Sequence, residues 1–272
     1  MRIQHNVTAL NAHRNLTNNN SAVTKSLEKL SSGYRINRAG DDAAGLAISE
    51  KMRAQITGLQ TAQKNAEDGV SLVQTAEGAL TEVHSMLNRM VELATQSANG
   101  TYSDANRAEM QKEINALNDE IDRIGATSNF NGTKLFDGKT TEIALHVGES
   151  SADTNSLKVT LAAMNSAGIG TDAVDISTAA GAKAAIDTVN TAIDTISSLR
   201  SDFGALQNRL EHTINNLGVQ AENITAAESR IRDVDMAKEM MAYTKNNILV
   251  QASQAMLAQA NQVPQGVLQL LQ

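Results

Sequence analysis

Residues 246–272, at the end of the chain, contain no charged side chain. They read NNILVQASQAMLAQANQVPQGVLQLLQ, and their apolar residues would surround a helix on most of its sides. A helix that is apolar all round must be covered all round, so it needs several neighbours. Glutamines interrupt the segment too often for a membrane span, which needs about twenty mostly apolar residues. A single isolated chain could not bury this segment, which is therefore predicted to be an assembly element.

The beginning of the chain has a similar character. Residues 1–27 contain no acidic side chain, and Ile3, Val7 and Leu10 fall on one face of a helix. After a shift of phase, apolar residues at steps of four and three resume this stripe up to Leu30. We therefore expect the two weakly charged ends to form helices that pair with each other.

The most regular pattern lies between Ala62 and Ala94, where apolar residues recur at steps of four and three without a miss. That spacing predicts a long helix in a coiled-coil-like bundle. Asn99–Gly100 marks its end, and Ser103–Asp104 marks the start of a second helix with the same pattern. Upstream, Asp41–Asp42 is predicted to cap a helix start, although paired aspartates also suit metal binding or acid–base chemistry.

The middle of the chain has a different pattern. Apolar and polar residues alternate over two short runs at about residues 138–165, which predicts a small β-hairpin. Helical spacing returns near Ser177–Thr178, loosens briefly at Gly218 and carries on to the uncharged tail, which predicts a long helix followed by an assembly helix. The predicted fold class is mainly α, with long coiled-coil-like helices from both chain ends forming a rod and a small mid-chain β-hairpin. We expect residues 1–42 plus 230–272 to form an inner terminal coiled-coil domain for assembly, and residues 43–229 to form a helical rod domain with the hairpin.

Several functions are excluded by composition and spacing. The formal net charge of −7 argues against a nucleic-acid partner, which would require a basic surface. The chain has no cysteine, and its five histidines never occur at the spacing of a metal site. The segment GTKLFDGKT has one residue too many between its glycines for a phosphate-binding loop. We therefore predict no enzymatic activity, no catalytic residue, and no cofactor or metal site.

Four segments of the chain resemble one protein family. They are LSSGYRINRAGDDAAGLAISEKMRAQ at residues 30–55, NAEDGVSLVQTAEGAL at 65–80, LNRMVELATQSANG at 87–100, and the end from AAESRIRDVDMAKEM through LLQ. These segments resemble bacterial flagellin, and the first is similar to its highly specific N-terminal signature. The resemblance covers about the whole chain, but residues 138–176 are too short for the large variable outer region of longer flagellins. The chain thus resembles a minimal flagellin.

This resemblance implies a structural subunit of the bacterial flagellar filament, which polymerises through its N- and C-terminal helices into a tubular propeller for motility. It implies an extracellular location and export without a cleavable signal peptide, and the opening MRIQHNVTAL lacks the pattern of such a peptide. The implied partners are further copies of the chain, an export chaperone on the C-terminal end, and the filament cap and hook-junction proteins. Neither nucleic-acid binding nor membrane insertion is expected. The residues predicted for self-assembly are Ile3, Val7, Leu10, Val23, Leu27, Met241, Ile248, Ala255 and Met256.

The segment LNRMVELATQS is similar to the family's contact region for a Toll-like innate receptor of vertebrates. Arg89, Leu93 and Glu113 match that region and are the implied receptor-binding residues. Strongly signalling family members often carry a second arginine where Val91 stands in this chain. The alternative for Arg89 is a solvated residue on the flank of a long helix.

Two other functions are compatible with the sequence. A hook–filament junction protein shares the terminal architecture and would occur only at the base of a filament. A secreted membrane-active translocator would insert its apolar helices into membranes and release dye from lipid vesicles.

Overall fold

The computed structural model describes residues 6–140 and 142–270. These residues form a mainly helical fold with two small antiparallel β-hairpins, which confirms the predicted fold class. In chain order the elements are α1 Val7–Ser32, α2 Ala43–Ala98, α3 Asp104–Thr127, β1 Asn129–Phe130, β2 Thr133–Lys134, β3 Glu142–His146, a 3-10 turn Asp153–Asn155, β4 Ser156–Thr160, α4 Ser166–Ile169, α5 Ala179–Arg232 and α6 Met236–Leu270. None of the helices in this part of the chain combines enough length with enough apolar side chains to cross a lipid bilayer.

The chain divides into two compact units. The terminal unit combines Met1–Ile56 with Glu222–Gln272, and the central unit is Thr57–Ala221. The terminal unit therefore contains α1 and α6 together with the first turns of α2 and the last turns of α5. The central unit contains the rest of α2 and α5, as well as α3, α4 and both hairpins.

Polar side chains cap the starts of the long helices. At the start of α2, Asp42 Oδ1 accepts a hydrogen bond from the backbone N–H of Gly45 at 2.9 Å, which confirms the predicted capping role for this aspartate. Ser103 caps α3 in the same way, and Thr178 Oγ1 caps α5 by accepting from Gly181 N at 3.1 Å. Each cap satisfies a backbone donor that has no partner within the helix, and contributes about 1 kcal/mol.

One apolar core stabilises the central unit. The α2 residues at the predicted steps of four and three are buried in it, including Val73 and Leu80. Helix α3 contributes Ile114 and Ile121, and α5 contributes a row of aliphatic side chains with Phe203. Burying one such side chain contributes about 1.5–3 kcal/mol. A bundle with few aromatic residues is therefore stabilised mainly by the number of aliphatic side chains that it buries.

Two hairpins follow α3. Asn131–Gly132 joins β1 to β2 with φ angles of 48° and 82°, which suits the turn that such hairpins prefer. Strands β3 and β4 pair with Ile143 opposite Val159, which confirms the predicted mid-chain hairpin. This second hairpin packs closely on α2, since a Cβ atom on Gly69 would lie only 2.5 Å from Leu145 Cδ1. The missing side chain at Gly69 thus permits the hairpin to approach the helix.

A short break separates the long helix of the second half of the chain from the helix of the uncharged tail. Helix α5 ends at Arg232, and α6 begins at Met236. Between them Asp233 forms an antiparallel bridge with Tyr34, and Asp235 Oδ1 caps α6 by accepting a backbone hydrogen bond at 3.1 Å. The apolar spacing continues through this break, but pairing with a distant segment overrides the local helical preference.

Candidate assembly surface

The two end helices, α1 and α6, pack against each other within the terminal unit, as the sequence predicted. Asn6 Nδ2 donates to Ala260 O at 2.8 Å, and Asn19 Nδ2 donates to Ser253 Oγ at 3.0 Å. The helices are antiparallel, because the residue numbers on α6 fall as those on α1 rise. The buried side chains that the structure describes on these two helices are all small, namely Ala12, Ser26 and Ser253.

Helix α6 has a row of residues at steps of four and three that are buried or half-buried. We call these residues the inner row; they are Asn246, Val250, Ser253, Leu257 and Ala260. The hydrogen bonds from Asn6 and Asn19 reach this row, so it is the face that contacts α1. One face of α6 is therefore already covered within the subunit.

A second set of α6 residues is exposed and apolar. We call this set the outer stripe; it consists of Met241, Ile248, Ala255, Met256 and Val263. Its members form two rows spaced seven residues apart, and seven residues bring a helix back to nearly the same face after two turns. Ile248, in the middle of the stripe, has 60% of its surface exposed. Helix α6 thus carries an apolar surface that nothing within the described subunit covers.

On α1 the predicted assembly residues have different environments. Val7, Leu10 and Leu27 are exposed, with 66% of Leu10 accessible, and Val23 is half-buried. Ile3 lies outside the described residues. Exposed apolar side chains that gather on paired helices are typical of a surface that binds another protein.

Some parts of this surface are missing from the sequence prediction. Val263 follows Met256 at the seven-residue spacing, so the pattern already contained the signal for it. The bond between Asn19 and Ser253 joins residues that lie 234 positions apart, and no local pattern indicates such a contact.

A set of polar contacts joins the link between α1 and α2 to the link between α5 and α6. The backbone N–H of Arg35 donates to Arg232 O at 2.6 Å, and that of Val234 donates to Gly33 O at 3.0 Å. The guanidinium group of Arg232 lies 4.8 Å from the centre of the Tyr34 ring, and its Nη1 bonds Glu50 Oε1 at 2.6 Å. This arginine therefore fixes the link between α1 and α2 to the link between α5 and α6.

Asp41 stabilises the link between α1 and α2 rather than capping α2. Its Oδ1 lies 3.1 Å from Lys25 Nζ on α1, and its Oδ2 accepts hydrogen bonds from the backbone N–H groups of Asn37 and Arg38. These contacts favour the charged carboxylate. The hydrogen bond from Lys25 is the main reason that the pKa of Asp41 lies below its ordinary value, with the backbone donors as the next cause.

The three residues predicted for receptor binding do not share one environment. Arg89 is half-exposed on α2, and its Nε donates to Glu113 on α3 at 2.8 Å while its Nη1 donates to Glu92 at 2.9 Å. The bonds to Glu113 and Glu92 raise the pKa of Arg89. Leu93 is only 2% exposed and belongs to the core of the central unit. The structure therefore brings Arg89 and Glu113 together at the surface but places Leu93 where a partner does not reach it.

Comparison with known families accounts for most of the chain. The family described as the bacterial flagellin N-terminal helical region matches residues 3–141, and the bacterial flagellin C-terminal helical region matches residues 186–271. The chain belongs to the bacterial flagellin family. It is 56% identical over 271 residues to a flagellin of Halalkalibacterium halodurans and 53% identical over 311 residues to one of Bacillus subtilis, with all of both chains covered in each comparison.

Solved structures agree with this assignment. The crystal structure of Bacillus cereus flagellin matches with a TM-score of 0.50 and 33% identity, over 61% of this chain and 94% of that one. A putative flagellar hook-associated protein from Vibrio parahaemolyticus matches with a TM-score of 0.61, over 71% of this chain and 100% of that one. Its identity is 14%, so this second likeness concerns the fold alone.

Membership of the family decides the general function. Flagellins are structural proteins rather than enzymes, and they form the homopolymeric extracellular filament of the bacterial flagellum. This flagellin is a small one. In the part of the chain that the structure describes, only two hairpins, a 3-10 turn and α4 lie between α3 and α5, so the large outer domain of longer flagellins is absent there.

The contact between Asp41 and Lys25 leads to a testable prediction. Asp41 should titrate below the ordinary aspartate pKa of about 3.9, and the substitution Lys25→Met should raise its pKa toward that value. Because the folded-state pKa is lowered, the contact stabilises the fold above the ordinary pKa and is lost as the pH falls through the lowered one. NMR titration of the side-chain carboxyl carbon measures the shift.

The control for this titration is Lys29→Met, which removes a charge one turn further along α1. This substitution should leave the pKa of Asp41 in place, since Lys29 does not bond the carboxylate. An Asp41 pKa that stays the same in Lys25→Met would show that the contact does not form in solution.

Proposed function

We propose that the subunits of this flagellin join through the outer stripe of α6 and the exposed apolar residues of α1. The observation that supports this proposal is the distribution of side-chain size: the fully buried side chains between α1 and α6 are small, while large apolar side chains on both helices lie exposed. Burying apolar surface contributes about 25 cal/mol per Å². Neighbouring copies would supply the cover that the subunit itself lacks, as in an open helical assembly in which each copy contacts several others. Ile3 is assigned to the same contact.

In this proposal residues 1–42 plus 230–272 form the inner assembly domain of the filament. Residues 43–229 form the helical rod domain with the β-hairpin. The absence of charge from residues 246–272 suits the inner position, because burying a charged side chain between subunits would be costly unless it were paired.

The same surface suits the further partners that the family resemblance implies. Before assembly, an export chaperone on the C-terminal end would cover the outer stripe and prevent premature association. At the two ends of a filament, the last subunits would present stripes without a neighbour, where the cap and hook-junction proteins would bind. Export without a cleavable signal peptide belongs to the same proposal.

The two alternative functions have less support. A hook–filament junction protein would share the fold, but the relatives that match over the full length are flagellins. A membrane-active translocator needs apolar helices that enter a bilayer, and the described helices contain none that could cross one. The filament subunit therefore remains the function that the residues support best.

We also propose that Arg89 and Glu113 form the centre of a contact with a Toll-like innate receptor. Arg89 carries several donors on a half-exposed side chain, and arginine is frequent among the residues that dominate binding energy. Leu93 would contribute only by supporting α2 from within the core. The contact lies in the central unit, outside the residues assigned to assembly.

A truncation tests the assembly proposal. Removing residues 246–272 should leave the central unit helical, as measured by circular dichroism, because its core contains no residue of that segment. The truncated protein should not polymerise at any concentration at which the full chain forms filaments in the electron microscope. Normal filaments from the truncated protein would refute the proposal.

A point substitution tests the outer stripe itself. Ile248→Glu should change the stability of the subunit by less than about 0.5 kcal/mol, because the side chain is exposed. It should raise the critical concentration for polymerisation by about a hundredfold or more, because an unpaired carboxylate would become buried between subunits. Light scattering over a concentration series measures this change.

The matched control is Gln254→Glu, which adds the same charge to an exposed position of α6. Residue 254 lies roughly 100° around the helix from Ala255 and hence outside the outer stripe. This variant should polymerise close to the normal critical concentration. Equal losses in both variants would mean that the stripe is not the contact surface.

The receptor proposal is tested by Arg89→Ala. This variant should bind the immobilised receptor ectodomain at least about tenfold more weakly, as expected for a residue at the centre of an interface. Arg123→Ala is the control, since Arg123 is also exposed and pairs with a carboxylate, Glu120, on its own helix. Both variants should still polymerise, and unchanged receptor binding by Arg89→Ala would overturn the assignment.

A further inference from the structure

The methionines of the chain fall into distinct groups by exposure. Met90 and Met164 are fully enclosed in the core of the central unit. Within the described residues, the exposed methionines all lie on α6, and they are Met236 at 48%, Met240 at 49%, Met241 at 67% and Met256 at 57%. Among the described residues, one helix thus carries the methionines whose side chains are most exposed to a dissolved oxidant.

The exposed methionines lie on two different faces of α6. Met241 and Met256 belong to the outer stripe, in the same seven-residue rows as Ile248 and Val263. Met236 and Met240 lie roughly 100° or more around the helix from both of them, since each residue of an α-helix advances by about 100°. The first pair is therefore part of the proposed contact between subunits, and the second pair is not.

Methionine suits such a contact because its thioether is apolar and its unbranched side chain adapts to irregular neighbours. Oxidation makes the apolar thioether polar. A peroxide transfers one oxygen atom to the sulfur and is itself reduced to water, so the sulfur loses two electrons and becomes a sulfoxide. The sulfoxide is polar and disrupts apolar cores and methionine-rich interfaces.

We propose that Met241 and Met256 are oxidation sites through which peroxide blocks the assembly of the free subunit. The inference rests on the proposed function, in which both side chains become buried between copies. In the free subunit they are open to oxidant, and in the filament neighbouring copies protect them. Methionine sulfoxide reductases reverse the modification and so restore the ability to assemble.

The first experiment maps the oxidation. Unassembled full-length protein is treated with hydrogen peroxide, and peptide mass spectrometry follows the gain of one oxygen atom at each methionine. The four methionines of α6 should be oxidised well before Met90 and Met164. In preformed filaments, Met241 and Met256 should be oxidised at least about tenfold more slowly than in the free subunit, because contact with neighbours excludes the oxidant.

The second experiment measures assembly. Peroxide treatment should raise the critical concentration for polymerisation by about tenfold or more, as expected when an unpaired polar oxygen is buried. Treatment with the two methionine sulfoxide reductases, one for each sulfoxide epimer, should then restore the critical concentration of the untreated protein. The double variant M241L/M256L keeps the apolar volume, and its own critical concentration, measured before and after peroxide, should not rise on treatment. The matched variant M236L/M240L removes as many exposed thioethers from the same helix and should remain sensitive.

The outcomes separate the inference from the proposed function. Failure of the untreated full-length protein to polymerise would overturn the proposed function and, with it, this inference. If the untreated protein polymerises, the inference alone is overturned by normal assembly of protein oxidised at Met241 and Met256. It is equally overturned if M241L/M256L is as sensitive to peroxide as the unaltered chain.

Discussion

The contact between α1 and α6 through small side chains is the interaction on which the terminal unit depends. Ala12, Ser26 and Ser253 occupy little volume, so the two helices approach closely enough for asparagine side chains to bridge them. The inner row of α6 faces α1, and the larger apolar side chains of the outer stripe remain exposed. The pairing of the two chain ends thus leaves exposed the surface that we propose for contact between subunits.

The two units differ in how they are stabilised. The core of the central unit contains many large aliphatic side chains and needs no partner to bury them. The terminal unit leaves many of its large apolar side chains exposed and uses a polar junction around Arg232 to connect its helices. In the proposed filament, neighbouring copies bind only the folded form of the terminal unit, and such binding stabilises the folded form by mass action. Subunit concentration would therefore affect the terminal unit far more than the central one.

The sequence predicted those features that depend on a regular repeat or a local motif. The core residues of α2, the mid-chain hairpin of β3 and β4 and the cap at Asp42 were all evident from side-chain spacing or local residue type. The break between α5 and α6 was not, because it depends on a bridge to Tyr34, which is almost two hundred residues away along the chain. The burial of Leu93 was also missed. Similarity to a family motif matches residue types, whereas exposure depends on which face of the helix meets the core.

Asn6 forms hydrogen bonds with both ends of the chain, which bears on the order in which the chain folds. Its Oδ1 accepts the backbone N–H of Ala9 and so starts α1, while its Nδ2 donates to Ala260 O near the other end of the chain. The carboxamide of Asn6 thereby links the first turn of α1 to the packing of α6 against it. If the chain is exported end first, as we propose, both hydrogen bonds of Asn6 can form only when both ends of the chain are present. The leading and trailing segments would then become ordered together, at the moment when the subunit reaches its place.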